Sequence, residues 1–120
     1  MKSIFALTIV LAGLVSAYGQ DIKIDDQTRC DLAFRAYDNQ DKATVAAARY
    51  VVGVLGKIDR AYTAKGEAGI LAAMSLDGLM STSVLPIELC RKKPSATLFS
   101  QVVDAYDGIR AIEREMGTIK

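Results

Sequence analysis

The chain contains two cysteines, Cys30 and Cys90, and a bond between them would close a loop of about 60 residues. Such a bond confines the unfolded chain, and for a loop of this length the chain-entropy model predicts a stabilisation of about 4 kcal/mol. Disulfides persist in oxidising compartments and are rare in the cytosol. The pairing of these cysteines therefore depends on whether the chain is exported.

The start of the chain has the layout of a cleaved signal peptide. Lys2 is followed by an apolar run from Ile4 to Val15 and then by small residues, which is the order found in secretory signals. The run is shorter than the ~20 residues that a membrane-spanning helix needs, so we expect it to be removed and not kept as an anchor. Small residues favour cleavage before Gln20, and a cut after Ala17 is also allowed.

Export places the cysteines in an oxidising compartment. An even cysteine count then predicts a structural disulfide between Cys30 and Cys90. The chain has no CxxC motif and no histidine, which disfavours a metal site or a redox-active thiol. We predict a periplasmic protein with a signal peptide at 1–19, a single disulfide-linked domain at 20–120 and no membrane span after cleavage.

The composition excludes several functional classes. Of the 15 basic residues Lys2 leaves with the signal peptide, so 14 remain against 14 acidic residues. Nucleic-acid binding needs a basic excess, which this balance does not supply. Histidine, the usual general base near neutral pH, is absent. We therefore predict a protein that is not an enzyme, needs no cofactor or metal, and binds other proteins.

Apolar residues recur at helical spacing along most of the exported chain, which predicts an all-α fold. The first predicted elements are a mobile lead-in over 20–26, a helix from Thr28 to Tyr37 that Thr28 caps, and a long helix from Lys42 to Ala64. A short apolar segment over 67–74 and a break at Asp77-Gly78 follow. The last two elements are a short helix that begins at Pro86 and ends at Cys90, and a helix that is capped by Ser95 and ends at Gly117. Together they predict a small orthogonal bundle of four to five helices closed by one disulfide.

Some positions within these helices carry predictions of their own. The spacing of the last helix places Ile112 on the core side and makes Asp107 and Arg110 a surface ion pair. Gly53 and Gly56 lie inside the long helix, where each costs about 1 kcal/mol relative to alanine. Close approach of a neighbouring helix is the ordinary reason for such glycines, and a hinge is the other.

Binding through apolar surface is the activity that these helices support. Most residues on their apolar stripes belong to a core, but a domain of this size does not necessarily bury all of them. A remaining patch would pair two copies of the chain or hold a client protein. The candidate residues for this surface are Val51, Leu55, Phe99, Val103 and Tyr106.

The last third of the chain resembles the HdeA-type family of periplasmic acid-stress chaperones. The matching features are a proline-containing helix from Val84 to Cys90, a polar break with Pro94, and a charged amphipathic helix that carries Phe99 and Tyr106. The early cysteine, Cys30 followed by Asp-Leu-Ala-Phe, and the signal peptide are also similar. The segment between the cysteines is longer than is usual for that family.

This resemblance implies a small helical protein that is commonly a dimer when folded, partly unfolds in acid and exposes apolar surface to aggregating clients. The composition is compatible with that behaviour, because unperturbed carboxyl groups titrate near pH 4. In acid the 14 acidic side chains lose their charge while the 14 basic ones keep theirs. The resulting self-repulsion loosens packing, and a disulfide would keep the loosened chain together.

A second resemblance suggests a different function. The stretch Tyr50-Val51-Val52-Gly53, followed by a cysteine and an amphipathic last helix, is similar to the immunity proteins that neutralise type VI secretion amidase toxins in the periplasm. Those proteins usually carry further cysteines, which this chain lacks. This alternative predicts one specific toxin as the partner, bound at neutral pH.

Overall fold

The computed structural model describes residues 23–40 and 42–119, and within them the protein is built from four α-helices. The helices are α1 (Cys30–Asn39), α2 (Lys42–Ala64), α3 (Leu76–Cys90) and α4 (Leu98–Glu115). Extended pairing in these ranges is limited to an isolated bridge between Arg29 and Thr97. The predicted all-α class is confirmed. The predicted signal peptide at 1–19 and the cleavage before Gln20 lie outside the described residues.

The four helices form a closed ring around one core. α1 packs on α2, α2 on α4, α4 on α3, and α3 back on α1, while α2 and α3 also meet across the middle. A disulfide joins Cys30, the first residue of α1, to Cys90, the last residue of α3, with their Cα atoms 4.8 Å apart. Both cysteines are fully buried. The predicted bundle closed by one disulfide is therefore confirmed.

The segment before α1 is anchored by side-chain contacts, and Thr28 does not cap the helix as predicted. The N-cap is Arg29, while the hydroxyl of the buried Thr28 accepts the N–H of Asp25 at 2.9 Å. The carboxylate of Asp26 accepts from the hydroxyl of Tyr50 on α2 at 2.7 Å. These contacts hold a polar segment that local sequence alone predicts to be mobile.

The bounds of α2 agree with the prediction, and Gly66 lies beyond its end in the left-handed region with a φ of 79°. The expected close approach of a neighbouring helix at Gly53 is wrong, because among the described residues no atom of another helix lies within 4 Å of the position that a Cβ would occupy. At Gly56 the nearest atom belongs to Arg60 of the same helix, at 3.3 Å. Packing within the single chain therefore does not explain these glycines.

α3 is one continuous helix where the sequence predicts a break at Asp77-Gly78 and a short helix beginning at Pro86. Ser75 caps it, and its hydroxyl accepts the N–H of Gly78 at 3.1 Å. Asp77 lies in the first turn, where negative charge favours a helix N-terminus. Pro86 falls inside the helix, where it cannot donate the usual backbone bond, and it is buried in the core. The apparent break is a capped first turn.

α4 begins after a different cap from the predicted one. Its N-cap is Thr97, whose hydroxyl accepts the N–H of Ser100 at 3.2 Å, and not Ser95. Its end agrees with the prediction, because the C-cap is Met116 and Gly117 follows with a φ of 76°. Local sequence offers several hydroxyl residues before this helix and does not distinguish the one that caps it.

The burial of two side chains near the end of α4 is the reverse of what the sequence predicts. Ile112, expected to face the core, is 57% exposed, whereas Arg110, expected on the surface beside Asp107, is only 8% exposed. Arg110 faces inward because residues 67 and 68, which follow α2, supply polar and charged atoms at that level of the bundle. Helical spacing shows which residues share a face of a helix, but it does not show whether the groups that pack against that face are polar or apolar.

Candidate functional site

The five residues predicted to form a client or partner surface do not form one in the folded protein. Val51, Leu55 and Tyr106 are fully buried, Val103 is half-buried, and Phe99 is 39% exposed. The first three fill the space inside the ring of helices. Only Phe99 among the five is thus widely open to a partner while the protein stays folded.

Part of this core is covered by the segment 66–75 between α2 and α3, which we call the strap. Ile70 of the strap is almost completely buried in the core cluster, and Leu71 and Met74 pack against the same cluster. No regular helix or strand holds the strap internally. Its position therefore depends on side chains that reach it from α2 and α4.

Asp59 on α2 is the main anchor of the strap. One oxygen of its carboxylate, Oδ1, accepts the backbone N–H of Ile70 at 2.7 Å and that of Leu71 at 3.2 Å. The same oxygen accepts the hydroxyl of Tyr106 on α4 at 2.9 Å. A single carboxylate therefore ties three elements together. A sequence signal for this role exists, because Asp59 lies one helical turn after Leu55 on the apolar stripe of α2.

Arg110 on α4 fastens the strap from a second direction. Its guanidinium carbon lies 4.0 Å from the centre of the Tyr62 ring, and its Nε donates to the carbonyl oxygen of Ala68 at 3.3 Å. Its Nη2 lies 3.7 Å from a carboxylate oxygen of Glu67. Within the described residues Nη2 is buried without a hydrogen bond, so the charge of Glu67 is what balances this cation.

The phenol of Tyr106 is held in its neutral form. Burial, together with the hydrogen bond to Asp59, raises the pKa of Tyr106 above its ordinary value near 10. A raised pKa means that this contribution to stability is complete below about pH 10 and is lost as the pH rises through the folded-state pKa. The Tyr62 ring stacks on Tyr106 with centroids 5.6 Å apart. The cluster therefore joins elements and contains no activated nucleophile.

A second polar junction connects the C-terminal ends of α1 and α3. The guanidinium of Arg91 donates to both carboxylate oxygens of Asp38 and, through Nε, to Glu88 at 2.9 Å. It also lies over the Phe34 ring, 5.7 Å from the centroid. The hydrogen bond from Arg91 holds the pKa of Asp38 below its usual range. This pair therefore stabilises the fold above the ordinary carboxyl range and keeps its charge further into acid.

The outer face of α3 is an apolar feature that the helices leave open. We define this face by Leu76, Met80, Val84 and Leu85. Leu76 is 73% and Met80 60% exposed, and Leu85 is also open to solvent. A shallow groove of about 450 Å³ runs along it, lined also by Ser81 and Glu88. From Gly78 to Ile87 no residue of α3 is charged, although the outer face of a surface helix usually carries charges.

No protein-family model, no curated protein and no solved structure matches the chain. Across the described ranges, no cluster of three or more histidine, cysteine or carboxylate side chains is arranged to hold a metal ion. No helix in that part of the chain has the length and apolar character needed to cross a membrane. The structure thus offers two candidate features, the strap with its carboxylate anchor and the outer face of α3.

Two glycine substitutions should change stability in opposite directions. A Cβ at Gly69 would overlap the Asp59 carboxylate, so Gly69→Ala should displace that anchor and lower the free energy of unfolding by about 2 kcal/mol. Gly53→Ala adds a Cβ in open space inside α2 and should raise it by up to about 1 kcal/mol. Urea denaturation of both variants measures the difference. Equal effects at the two positions would contradict the anchoring role of Asp59.

Proposed function

We propose that the protein is a periplasmic, non-enzymatic binding protein that resembles acid-stress chaperones, exposes apolar surface at low pH and holds aggregation-prone clients. The observation that carries the proposal is that carboxylates make four of the polar junctions between elements. These junctions are Asp26 with Tyr50, Asp38 with Arg91, Asp59 with Tyr106 and the strap, and Glu67 with Arg110.

Acid is expected to weaken all of these junctions. A carboxyl group that has taken up a proton is a weaker hydrogen-bond acceptor than a carboxylate. The basic partners Arg91 and Arg110 keep their charge in acid. Arg110 would then be a buried cation without a counter-ion, which is costly, and the balance of 14 acidic and 14 basic residues would become strongly positive.

The strap is an element that the loss of these charges would release. It has no helix or strand of its own, and two of its polar anchors, Asp59 and Glu67, are carboxylates. The bond from Arg110 Nε to the carbonyl oxygen of Ala68 is the third. Release of the strap would uncover the core position of Ile70. Leu55 and Tyr106, two of the predicted client-binding residues, belong to the same core cluster as Ile70 and are therefore candidates for the loosened state and not for the folded one.

The contacts between α1 and α3 resist the same acid. The Cys30–Cys90 bond does not titrate, and the lowered pKa of Asp38 keeps its pair with Arg91 charged below the ordinary carboxyl range. α1 and α3 would stay joined while the strap opens. Such a state offers apolar surface without becoming a fully unfolded chain, which is the property that a holding chaperone needs.

An aggregation assay tests this proposal. The oxidised mature protein is mixed with a dehydrogenase that aggregates in acid, and light scattering is followed at about pH 2 to 3 and at pH 7. We expect suppression of scattering in acid only, together with increased binding of an apolar dye. The same assay with the Gly53→Ala variant serves as a control that keeps every junction. Undiminished client aggregation in acid would sink the proposal.

The alternative function is that of an inhibitor or immunity protein for a periplasmic type VI secretion effector. The exposed outer face of α3 favours it, because such an inhibitor binds in its folded state at neutral pH. Leu76 and Met80 are open without any acid treatment. Co-purification with one specific toxin at neutral pH, lost in a Met80→Lys variant, would support this alternative over the chaperone proposal.

A further inference from the structure

We propose that a cavity between the C-terminal parts of α2 and α4 binds a small free α-amino acid as its zwitterion. The cavity has a volume of about 230 Å³ and is lined by Tyr62, Asp107, Arg110, Ala111 and Arg114. Four of these residues share one face of α4, because they are spaced by three or four positions. Tyr62 of α2 supplies the opposite wall. This inference rests neither on the acid response nor on a protein partner.

Arg110 is a fixed cation whose donors are mostly unused. Its guanidinium carbon lies 4.0 Å from the centre of the Tyr62 ring, and its Nε donates to the carbonyl oxygen of Ala68 at 3.3 Å. In the part of the chain that the structure describes, this is the one hydrogen bond of a group that has five N–H donors. Its Nη2 is buried without a partner, although buried polar atoms normally have one.

The nearest carboxylate does not use these donors. The Glu67 oxygen lies 3.7 Å from Nη2, which is beyond hydrogen-bond distance, and the Glu67 side chain is 50% exposed. Glu67 therefore balances the charge of Arg110 but does not accept its N–H groups. A guanidinium that is held in place with free donors is suited to bind a planar carboxylate.

The other two charges of the lining are also unpaired. Arg114 lies in the last turn of α4, and both it and Asp107 are exposed. Among residues 23–40 and 42–119, neither has an oppositely charged group within 4 Å. With Glu67 beside Arg110, two positive and two negative groups meet here, so their charges cancel. A ligand that carries one charge of each sign is complementary to such a site.

The order of the charges along α4 gives the orientation of this ligand. Asp107 comes first, and Arg110 and Arg114 follow about 4.5 Å and about 10 Å further along the helix axis. The small residue Ala111 lies between the two arginines and leaves room above it. The ligand carboxylate then lies over Ala111, where it accepts from both guanidinium groups, and the ammonium donates to Asp107.

The size of the cavity restricts the ligand to small amino acids. Pockets for drug-sized molecules usually measure ~300–1,000 Å³, whereas this one has about 230 Å³. A water molecule takes about 30 Å³ of liquid volume, so the cavity has room for roughly eight non-hydrogen atoms. Glycine, alanine, serine and valine are of this size or smaller.

Isothermal titration calorimetry of the oxidised mature protein at neutral pH tests the site, with glycine, L-alanine, L-serine and L-valine as probes at up to about 10 mM. We expect L-valine, which fills the cavity, to bind and to shift the amide signals of residues 107–114. Isovalerate lacks the ammonium and isobutylamine lacks the carboxylate, so each should bind at least about tenfold more weakly than L-valine. N-Acetyl-L-valine, which imitates the carboxyl terminus of a peptide, should be weakened similarly.

Substitutions in the lining locate the binding. Arg114→Gln and Asp107→Asn should each weaken it at least about tenfold, and Ala111→Leu should abolish it by filling the cavity without changing a charge. Arg35→Gln on α1 and Asp104→Asn, one turn before Asp107, are the matched controls and should leave the affinity unchanged. All five positions are exposed, and unfolding midpoints check that each variant is folded.

Three results would each overturn the proposal. One is the absence of binding with all four amino acids, and another is equal binding of L-valine and of an analogue that lacks its ammonium or its carboxylate, or whose ammonium is acetylated. The third is an affinity that Ala111→Leu leaves unchanged, because the ligand would then bind outside this cavity.

Discussion

Replacing both cysteines by alanine, as Cys30→Ala with Cys90→Ala, is expected to lower the free energy of unfolding by about 4 kcal/mol. The bond joins residues separated by 60 positions, so its loss frees a large part of the unfolded chain. Both side chains are fully buried where α1 and α3 meet. For a domain whose total stability is only ~5–15 kcal/mol, this is the largest single effect that we expect.

Thermal unfolding at neutral pH measures this effect. A loss of this size should lower the Tm by roughly 20 °C in a domain of about one hundred residues. Reduction of the unaltered protein with dithiothreitol is the matched control and should reproduce the variant, since both remove the bond. If oxidised and reduced protein melted at the same temperature, the disulfide would not be what holds α1 to α3.

Asp59→Ala should give the second largest loss, about 3 kcal/mol. The substitution removes the carboxylate and with it Oδ1, so that three donors, the N–H groups of Ile70 and Leu71 and the hydroxyl of Tyr106, lose their partner. Each part-buried donor left unpaired costs about 1 kcal/mol or more. The strap should then loosen while the four helices stay in place.

Hydrogen exchange locates this loss as well as measuring it. Exchange of the Ile70 and Leu71 amides should accelerate strongly, whereas amides in the middle of α2 should follow only the change in global stability. Asp104→Ala on the exposed side of α4 is the matched control, and a surface change of this kind is usually worth less than about 0.5 kcal/mol. Asp59→Asn keeps an acceptor oxygen and should lose less than Asp59→Ala. Protection of Ile70 and Leu71 that survives Asp59→Ala would show that the strap is held by other contacts.

Local sequence is sufficient to predict a structural feature that depends only on residues nearby in the chain. The bounds of α2 follow from an uninterrupted apolar period and from Gly66 beyond its end, and the end of α4 follows from Gly117 in the same way. The starts of helices were less predictable. Ser95 and Thr97 are both acceptable caps, and only the position of α1 and the bridge between Arg29 and Thr97 select Thr97.

The candidate site could be predicted only in part. The five predicted surface residues share an apolar character, but this character alone does not tell whether a neighbouring helix covers them. Three of the five are fully buried. The sequence does not single out the anchor Asp59, because a lone carboxylate on an apolar stripe has several possible partners. Its donors, Ile70, Leu71 and Tyr106, lie 11, 12 and 47 positions away.

The sequence by itself determined the helical class, the long α2 and the pairing of Cys30 with Cys90. These follow from the spacing of apolar residues, the glycines that end helices, and the presence of only two cysteines. The tertiary structure alone decided that Arg110 turns inward, that one oxygen of Asp59 holds three elements, and that the outer face of α3 is left open. The reason is physical: burial and hydrogen bonding depend on which distant residues meet, and helical periodicity carries no information about that.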